Sequence, residues 1–183
     1  MYEGFRKSFT SRSLEFTAYP DLTEEQKRLV LECRNSEEVR KWMCSTDPIP
    51  LEGHLAFIER LKSSEKNFYW AVFGGKEGEF LGGVSLVGLE DMSADSGIFL
   101  NPKHIGSGLG FRISVISIDY YFRTLGLKSI YSVVHAQNAG AIAMNKRLGC
   151  VFGREQNGFL PVSLSAEQWD ARRDKLVKML SFL

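Results

Sequence analysis

The sequence predicts one mixed α/β (α+β) domain over residues 1–183, with a central sheet of parallel and antiparallel strands and helices on both faces. Three observations carry this. The apolar pattern switches between strand and helix periods in the order strand, helices, three strands, helix, strand, helix, strands, which mixes a meander with βα crossovers. No Pro-, Gly- or Ser-rich linker and no internal repeat divides the 183 residues, a length that one core can serve. The composition, 44% hydrophobic and 25% charged with five prolines, is that of an ordinary globular chain rather than a disordered one.

The elements follow in order. A first strand is expected at Leu14–Ala18. Thr23 and Gln26 form a capping box for a helix to about Arg34, with Leu29, Val30 and Cys33 on its apolar face. Ser36 is expected to cap a short second helix carrying Val39, Trp42 and Met43; Pro48 and Pro50 then punctuate the turn into a third, from about Leu51 to Lys62. The aromatic run at 67–73, "NFYWAVF", reads as a strand that turns through "GGKEGE" into "FLGGVSLVGL". A further strand, "SGIFLNP", stops at Pro102, which lacks the N–H a ladder needs. Phe111, Val115, Ile118 and Phe122 fall on one face of a helix ending at Gly126. Strand "SIYSVVHA" leads to Asn138 and a small-residue helix closed by Gly149. "CVFGRE" is extended, and a last strand near Phe159–Leu164 precedes a Ser165-capped helix with Trp169. The core is expected over about 14–164, with the C-terminal helix at about 165–183.

A net charge of +1 removes the case for a basic surface tracking nucleic acid. Cys33, Cys44 and Cys150 are odd in number and show no metal-ligand spacing, so neither a disulfide framework nor a metal site is expected. "MYEGFRKSFTSRSLEF" has no apolar signal region and no stretch is long enough to span a membrane; the expected location is cytoplasmic.

The chemistry concentrates at "NPKHIGSGLGFRIS", where Gly106, Gly108 and Gly110 precede a helix. Such a loop leaves backbone N–H groups unpaired at the positive end of the helix dipole, a natural seat for phosphate. It matches neither the dinucleotide fingerprint G-x-G-x-x-G nor the P-loop with its lysine. A plain flexible turn is the structural alternative. In context, Ile105-Gly106-Ser107-Gly108-Leu109-Gly110 after "SGIFLNP", followed by "VVHAQNAGAIAMNKRLGCVFG", resembles the Gcn5-related N-acetyltransferase (GNAT) superfamily over residues 14–164. The resemblance implies acetyl-CoA as co-substrate, bound where two parallel strands splay apart. It implies pyrophosphate contacts from Ile105 to Gly110, a pantetheine contact from Asn138, and main-chain contacts from Phe99 and Leu100. Ile105 stands where the family carries arginine or glutamine. Lys103, Arg112 and Lys146 are the cations available to compensate, or they are solvated surface groups.

The N-terminal half addresses the acceptor. Arg34-Asn35, Trp42-Met43, Ser45-Thr46 and His54-Leu55-Ala56-Phe57-Ile58 resemble the N-acetyltransferases of pseudaminic acid biosynthesis. These acetylate the 4-amino group of a UDP-linked 4-amino-4,6-dideoxy-N-acetyl-altrosamine, and the resemblance places Arg34, Met43 and His54 in the nucleotide pocket. Chemically, Arg34 can pair a phosphate, Met43 can pack on a flat ring and His54 can donate a hydrogen bond. The alternatives are a core histidine, a cation at a helix C-terminus and a core gap-filler.

Related sugar acetyltransferases place a tyrosine acid and a glutamate base where this chain has Asn145 and Val133. Both expected groups are absent: Asn145 holds the acid's position, and His135, near the cofactor end of its strand, is the imidazole placed to help or a bystander, with Tyr120, Tyr121, Tyr131 and ordered water as other proton donors. No Cys-His pairing is legible, so direct transfer is expected. The leading reading is a nucleotide-sugar N-acetyltransferase. A ribosomal-protein-type N-terminal acetyltransferase, which "LSAEQW" also resembles, and a non-catalytic acyl-CoA-binding module stand beside it. Pairing of two chains through sheet edges is left open.

Overall fold

The computed structural model describes residues 3–74 and 78–180. Its strands are β1 (Phe9–Ser11), β2 (Leu14–Ala18), β3 (Phe68–Gly74), β4 (Glu79–Glu90), β5 (Ser93–Leu100), β6 (Ser129–His135), β7 (Val151–Phe152) and β8 (Phe159–Ser165). Its helices are α1 (Glu24–Asn35), α2 (Glu37–Arg40), α3 (Leu51–Leu61), α4 (Leu109–Asp119), α5 (Ala139–Leu148) and α6 (Ala166–Met179). The strands form one sheet in the order β1-β2-β3-β4-β5-β6-β8-β7, antiparallel except for β5 with β6. The expected mixed sheet is therefore observed. Among the described residues no helix is long and apolar enough to cross a membrane.

Strand alternation divides the core into two faces. Phe68, Trp70 and Val72 of β3 join Tyr121 and Trp169 on the face covered by α4 and α6. Ala71 and Phe73 join Val30 and Ile58 on the face covered by α1 and α3. The two buried indoles keep their N–H groups satisfied, Trp70 on Lys7 O at 3.0 Å and Trp169 on Asp119 Oδ1 at 3.2 Å. The capping boxes of Thr23 with Gln26 and Ser165 with Gln168 start α1 and α6.

One strand goes unannounced in the sequence and four local readings are corrected. The hairpin of β1 and β2 turns through Arg12 and Ser13 at φ 49° and 64°, without the Gly or Asn that normally announces such a turn. β5 begins at Ser93, not Ser96, because Asp91 and Met92 make a second positive-φ turn. The helix through Phe122 changes at Tyr120–Thr124 into a π turn. The extended run after Gly149 is strand only at Val151–Phe152. Finally, α2 ends at Arg40, so Trp42 and Met43 lie in a loop.

The cause of that last difference is local. Arg40 donates back to Asn35 O at 2.8 Å and forward to Thr46 O at 2.6 Å. Asn35 in turn holds Ile49 through both amide groups, each at 2.9 Å. The chain from 41 to 50 is thereby clamped as a loop against the end of α1. The "GGKEGE" turn falls partly on 75–77, outside the described residues; on either side of it Gly74 pairs with Glu79.

Candidate active site

The parallel pairing of β5 and β6 covers only Ser93–Asp95 against Ser129–Tyr131. Each strand then stays with its outer neighbour: β5 follows β4 to Leu100, and β6 follows β8 to His135. Ser96 Oγ closes the apex by donating to Tyr131 O at 3.3 Å. Beyond it the two inner edges diverge, and a cavity of about 800 Å³ passes through the gap. Tyr19, Arg34 and His54 line it on the α1 and α3 side, and Ser114, Tyr121 and Met144 on the α4 and α5 side. Tight packing of β5 on β4 holds the gap's outer wall: a Cβ on Gly83 would meet the Phe99 ring at 2.5 Å.

The glycine loop stands at the mouth of this gap. A Cβ on Gly110 would lie 3.8 Å from Leu100 and 3.9 Å from Met144, so the loop sits between the end of β5 and α5. Gly106 and Gly108 both have φ 84°, a conformation that favours glycine. Ser107 Oγ accepts from Leu109 N–H at 3.2 Å, while the N–H groups of Gly108, Gly110 and Phe111 make no hydrogen bond among the described residues. Three amides at a helix N-terminus suit a diphosphate. Ile105 is 61% exposed beside them. Of the compensating cations, Arg112 donates to Arg12 O at 2.6 Å and Lys146 lies 6.0 Å over the Phe152 ring. Lys103 is exposed.

Asn138 caps α5, its Oδ1 accepting from Ala141 N–H at 3.0 Å, which leaves its Nδ2–H groups for a ligand. Asn145 Nδ2 donates to Ala141 O at 2.9 Å, and its Oδ1 accepts from Cys150 Sγ at 3.4 Å. Both amide groups are thus engaged inside α5 and its cap. Burial pushes the thiols of Cys150 and Cys33 up to about 11, so both stay protonated and poor as nucleophiles.

On the opposite face, Arg34 closes the last turn of α1 with its Nη1 buried and without a partner among the described residues. Burial lowers its pKa, and the buried Tyr19 hydroxyl, raised far above its usual value by the same cause, is a near neighbour. Tyr19, Phe57 and Tyr69 make a ring cluster beside it, with Tyr69 5.5 Å from Tyr19 and 5.0 Å from Phe57. Met43 is half-buried against this cluster. His54 is 5% exposed and its Nε2 lies 3.0 Å from Lys27 O, so that nitrogen carries the proton and donates. Burial holds its pKa below the usual imidazole value. His54 therefore lines the cavity as a neutral, anchored ring.

His135 lies at the open end of β6 between Trp42 and Phe159, 5.5 and 5.2 Å away. Its Nδ1 accepts from Gln137 N–H at 3.2 Å, which puts the ring proton on Nε2. Seven expected site residues, Arg34, Met43, His54, Phe99, His135, Asn138 and Asn145, meet in this one cavity. Leu100, Ile105–Gly110 and Lys146 are not among its described lining residues: Gly110 approaches it through Leu100 and Met144, and Lys146 is exposed over the Phe152 ring. The sequence reading missed Asp95, the one carboxylate among the described lining residues. It shares with Phe99 the strand face turned toward α1, and its concealing signal was the polar run "EDMSADS", which reads as loop.

The model of the Acetyltransferase (GNAT) domain family matches residues 21–151. The chain belongs to this family. A curated relative, the spermidine N(1)-acetyltransferase of Escherichia coli K12, is 33% identical over 75 residues, 40% of each chain. The aligned stretch thus spans well under half of that relative. Among solved structures, the Campylobacter jejuni N-acetyltransferase PseH in complex with acetyl coenzyme A superposes with TM-score 0.67 at 19% identity, over 83% of this chain and 98% of that one. The Vibrio cholerae spermidine N-acetyltransferase in complex with CoA and spermine gives TM-score 0.76 at 18% identity, over 87% and 99%. At these identities the superpositions establish the GNAT fold, and the acceptor has to be argued from the cavity.

Proposed function

We propose that the chain is an acetyl-CoA-dependent N-acetyltransferase acting on the 4-amino group of a UDP-linked 4-amino-4,6-dideoxy-N-acetyl-altrosamine-type sugar. The observation that carries the acceptor class is Arg34. A buried guanidinium N–H without a partner, set among Tyr19, Tyr69 and Phe57, suits an anionic group attached to a flat ring. Asp95 on the same face suits the cationic amine of the same acceptor.

Bound acetyl-CoA supplies an activated thioester carbonyl. The N–H groups of Gly108, Gly110 and Phe111 hold its pyrophosphate, Asn138 Nδ2 reaches its arm, and the free inner edge of β5 at Phe99 and Leu100 aligns it. The acceptor enters from the α1 side, Arg34 on its diphosphate and Met43 against its base. Asp95 orients the ammonium and takes its proton through water, since the Nδ1 of His135 is already engaged. The amine nitrogen bonds to the acyl carbon, the C–S bond breaks, and the thiolate is protonated from water or a nearby hydroxyl. The thiols of Cys33 and Cys150 are held as neutral SH, which favours direct transfer over an acyl-enzyme. Orientation of this kind is worth on the order of 7–11 kcal/mol in favourable cases.

Transfer to a polyamine is the second reading, favoured by the Escherichia coli relative and the Vibrio cholerae structure. Against it, the described residues lining the cavity include one carboxylate, Asp95, and the half-buried Arg34 guanidinium, and a polycation gains little there. Thiol release from acetyl-CoA, measured with the UDP-4-amino sugar, spermidine and N-terminal peptides in parallel, decides. Turnover with the sugar alone supports the first reading, whereas turnover with spermidine alone or peptide alone rejects it. CoA binding without any transfer identifies a sensing module.

A further inference from the structure

The end of the cavity on the α4 side carries more polarity than an acetyl group uses. Gly110, Ser114, Ser117 and Tyr121 follow one another along one face of α4 and its π turn, over roughly 15 Å at the usual helical rise. Ser114, Ser117 and Tyr121 all line the cavity, yet are only 6%, 3% and 2% exposed, so they wall its closed end with Ile118, Ile130 and Leu164. The serine protons are committed to the helix, Ser114 to Gly110 O and Ser117 to Ile113 O, each at 2.8 Å. Tyr121 differs. Among the described residues its buried hydroxyl has no partner within hydrogen-bond distance, and the hydroxyl beside it, that of Ser117, has already given its proton to Ile113 O. A hydroxyl in such a place is costly unless something accepts from it, and the apolar floor of Ile118, Ile130 and Leu164 suits a short carbon chain.

We propose that this closed end is an acyl-recognition chamber that admits an acyl group longer than acetyl and bearing an oxygen, a short hydroxyacyl or oxoacyl thioester, with Tyr121 donating to that oxygen. The thioester enters from the glycine loop and its acyl tail runs down the α4 face. Transfer keeps the same balance: C–N forms at the amine, C–S breaks, and an amine proton leaves to restore the thiol of CoA. The chamber rests on the acyl-CoA reading of the family and not on the identity of the acceptor, so its test needs none.

Calorimetric titration of the full chain with acetyl-, butyryl- and 3-hydroxybutyryl-CoA supplies that test. The hydroxyacyl thioester is expected to bind about 3- to 10-fold more tightly than butyryl-CoA, the gain of one buried hydrogen bond. Tyr121→Phe is expected to bring that ratio close to one while unfolding at a temperature no lower than the parent, since it removes an unsatisfied group. Ser117→Leu, which fills the chamber, is expected to weaken both four-carbon donors relative to acetyl-CoA. A steady fall in affinity from acetyl to butyryl to hydroxybutyryl overturns the proposal. So does a hydroxyacyl preference that survives Tyr121→Phe, or a Tyr121→Phe loss that is equal for all three donors.

Discussion

Replacing Arg34 by methionine separates a ligand-binding cation from a structural one, because the two roles move stability and affinity in different directions. The aliphatic stem of arginine is half-buried at the end of α1, and methionine refills most of that volume. What disappears is a guanidinium whose Nη1 is buried without a partner and whose pKa is lowered by that burial. An unsatisfied buried donor costs about 1–3 kcal/mol, so the free variant should be as stable as the parent or more stable, by up to about 1 kcal/mol after some lost packing. On the proposed reading the same nitrogen meets a phosphate or uracil oxygen in the complex, a charge-assisted bond worth about 1.5–3 kcal/mol. That converts to about a 10- to 160-fold rise in KM for the sugar nucleotide. Thiol-release kinetics give KM, and urea unfolding of the free protein gives the stability. KM for acetyl-CoA serves as the control, since the glycine loop leads into α4 on the other side of the sheet. A variant that loses more than about 1 kcal/mol of stability while its acceptor KM stays within about twofold would sink the argument, because Arg34 would then be serving α1 and not a ligand.

Three further outcomes are expected. Asn35→Ala removes both bonds to Ile49 and should cost about 1–3 kcal/mol in urea unfolding, with the acceptor KM rising as the 41–50 loop loosens; an unchanged midpoint would mean the loop is held elsewhere. The folded-state pKa of His54 lies below the usual 6.5, so its contribution to stability is complete above that value and is lost as pH falls through it; His54→Gln should flatten the decline in melting temperature between about pH 7 and 5, and an equal slope in both proteins rules this out. Alkylation at pH 7.5 should label the exposed Cys44 first, leaving Cys33 and Cys150, both pushed up to about 11, until the protein unfolds; early modification of Cys150 in intact-mass spectra contradicts its hydrogen bond to Asn145.

Much of this fold was legible because its signals are local. Thr23 with Gln26, Ser165 with Gln168, and Gly149 at φ 93° are end markers that do not depend on the rest of the chain. The hairpins at Arg12-Ser13 and Asp91-Met92 were hidden for the converse reason: their positive-φ residues are held by the pairing of the strands they join, and no glycine advertises them. Losing the second turn shortened β5 on paper, and with it went Asp95. The loop carrying Trp42 and Met43 depends on Asn35 reaching Ile49, fourteen positions away, so helical spacing alone could not exclude it. The glycine loop was read correctly as to place. The use of Arg112 on Arg12 O, across one hundred positions, had no sequence signature at all.

The cavity crosses the sheet, and this divides the chain's chemistry between its halves. On the proposed reading the donor is held by β5, the glycine loop, α4 and α5, all after residue 92, whereas Arg34, Met43 and His54 come from α1, the clamped loop and α3, all before residue 62. A common donor half can therefore accompany different acceptors. What distinguishes acceptors is then the charge that the first half presents at the gap. Among the described lining residues of this chain that charge is the Arg34 guanidinium, with its Nη1 buried, and the Asp95 carboxylate on β5. A polyamine would set its positive charge against Arg34 with only Asp95 to offset it. An acceptor with an amine at one end and an anion at the other satisfies both groups at once, and the buried Nη1 of Arg34 gains the partner it otherwise lacks.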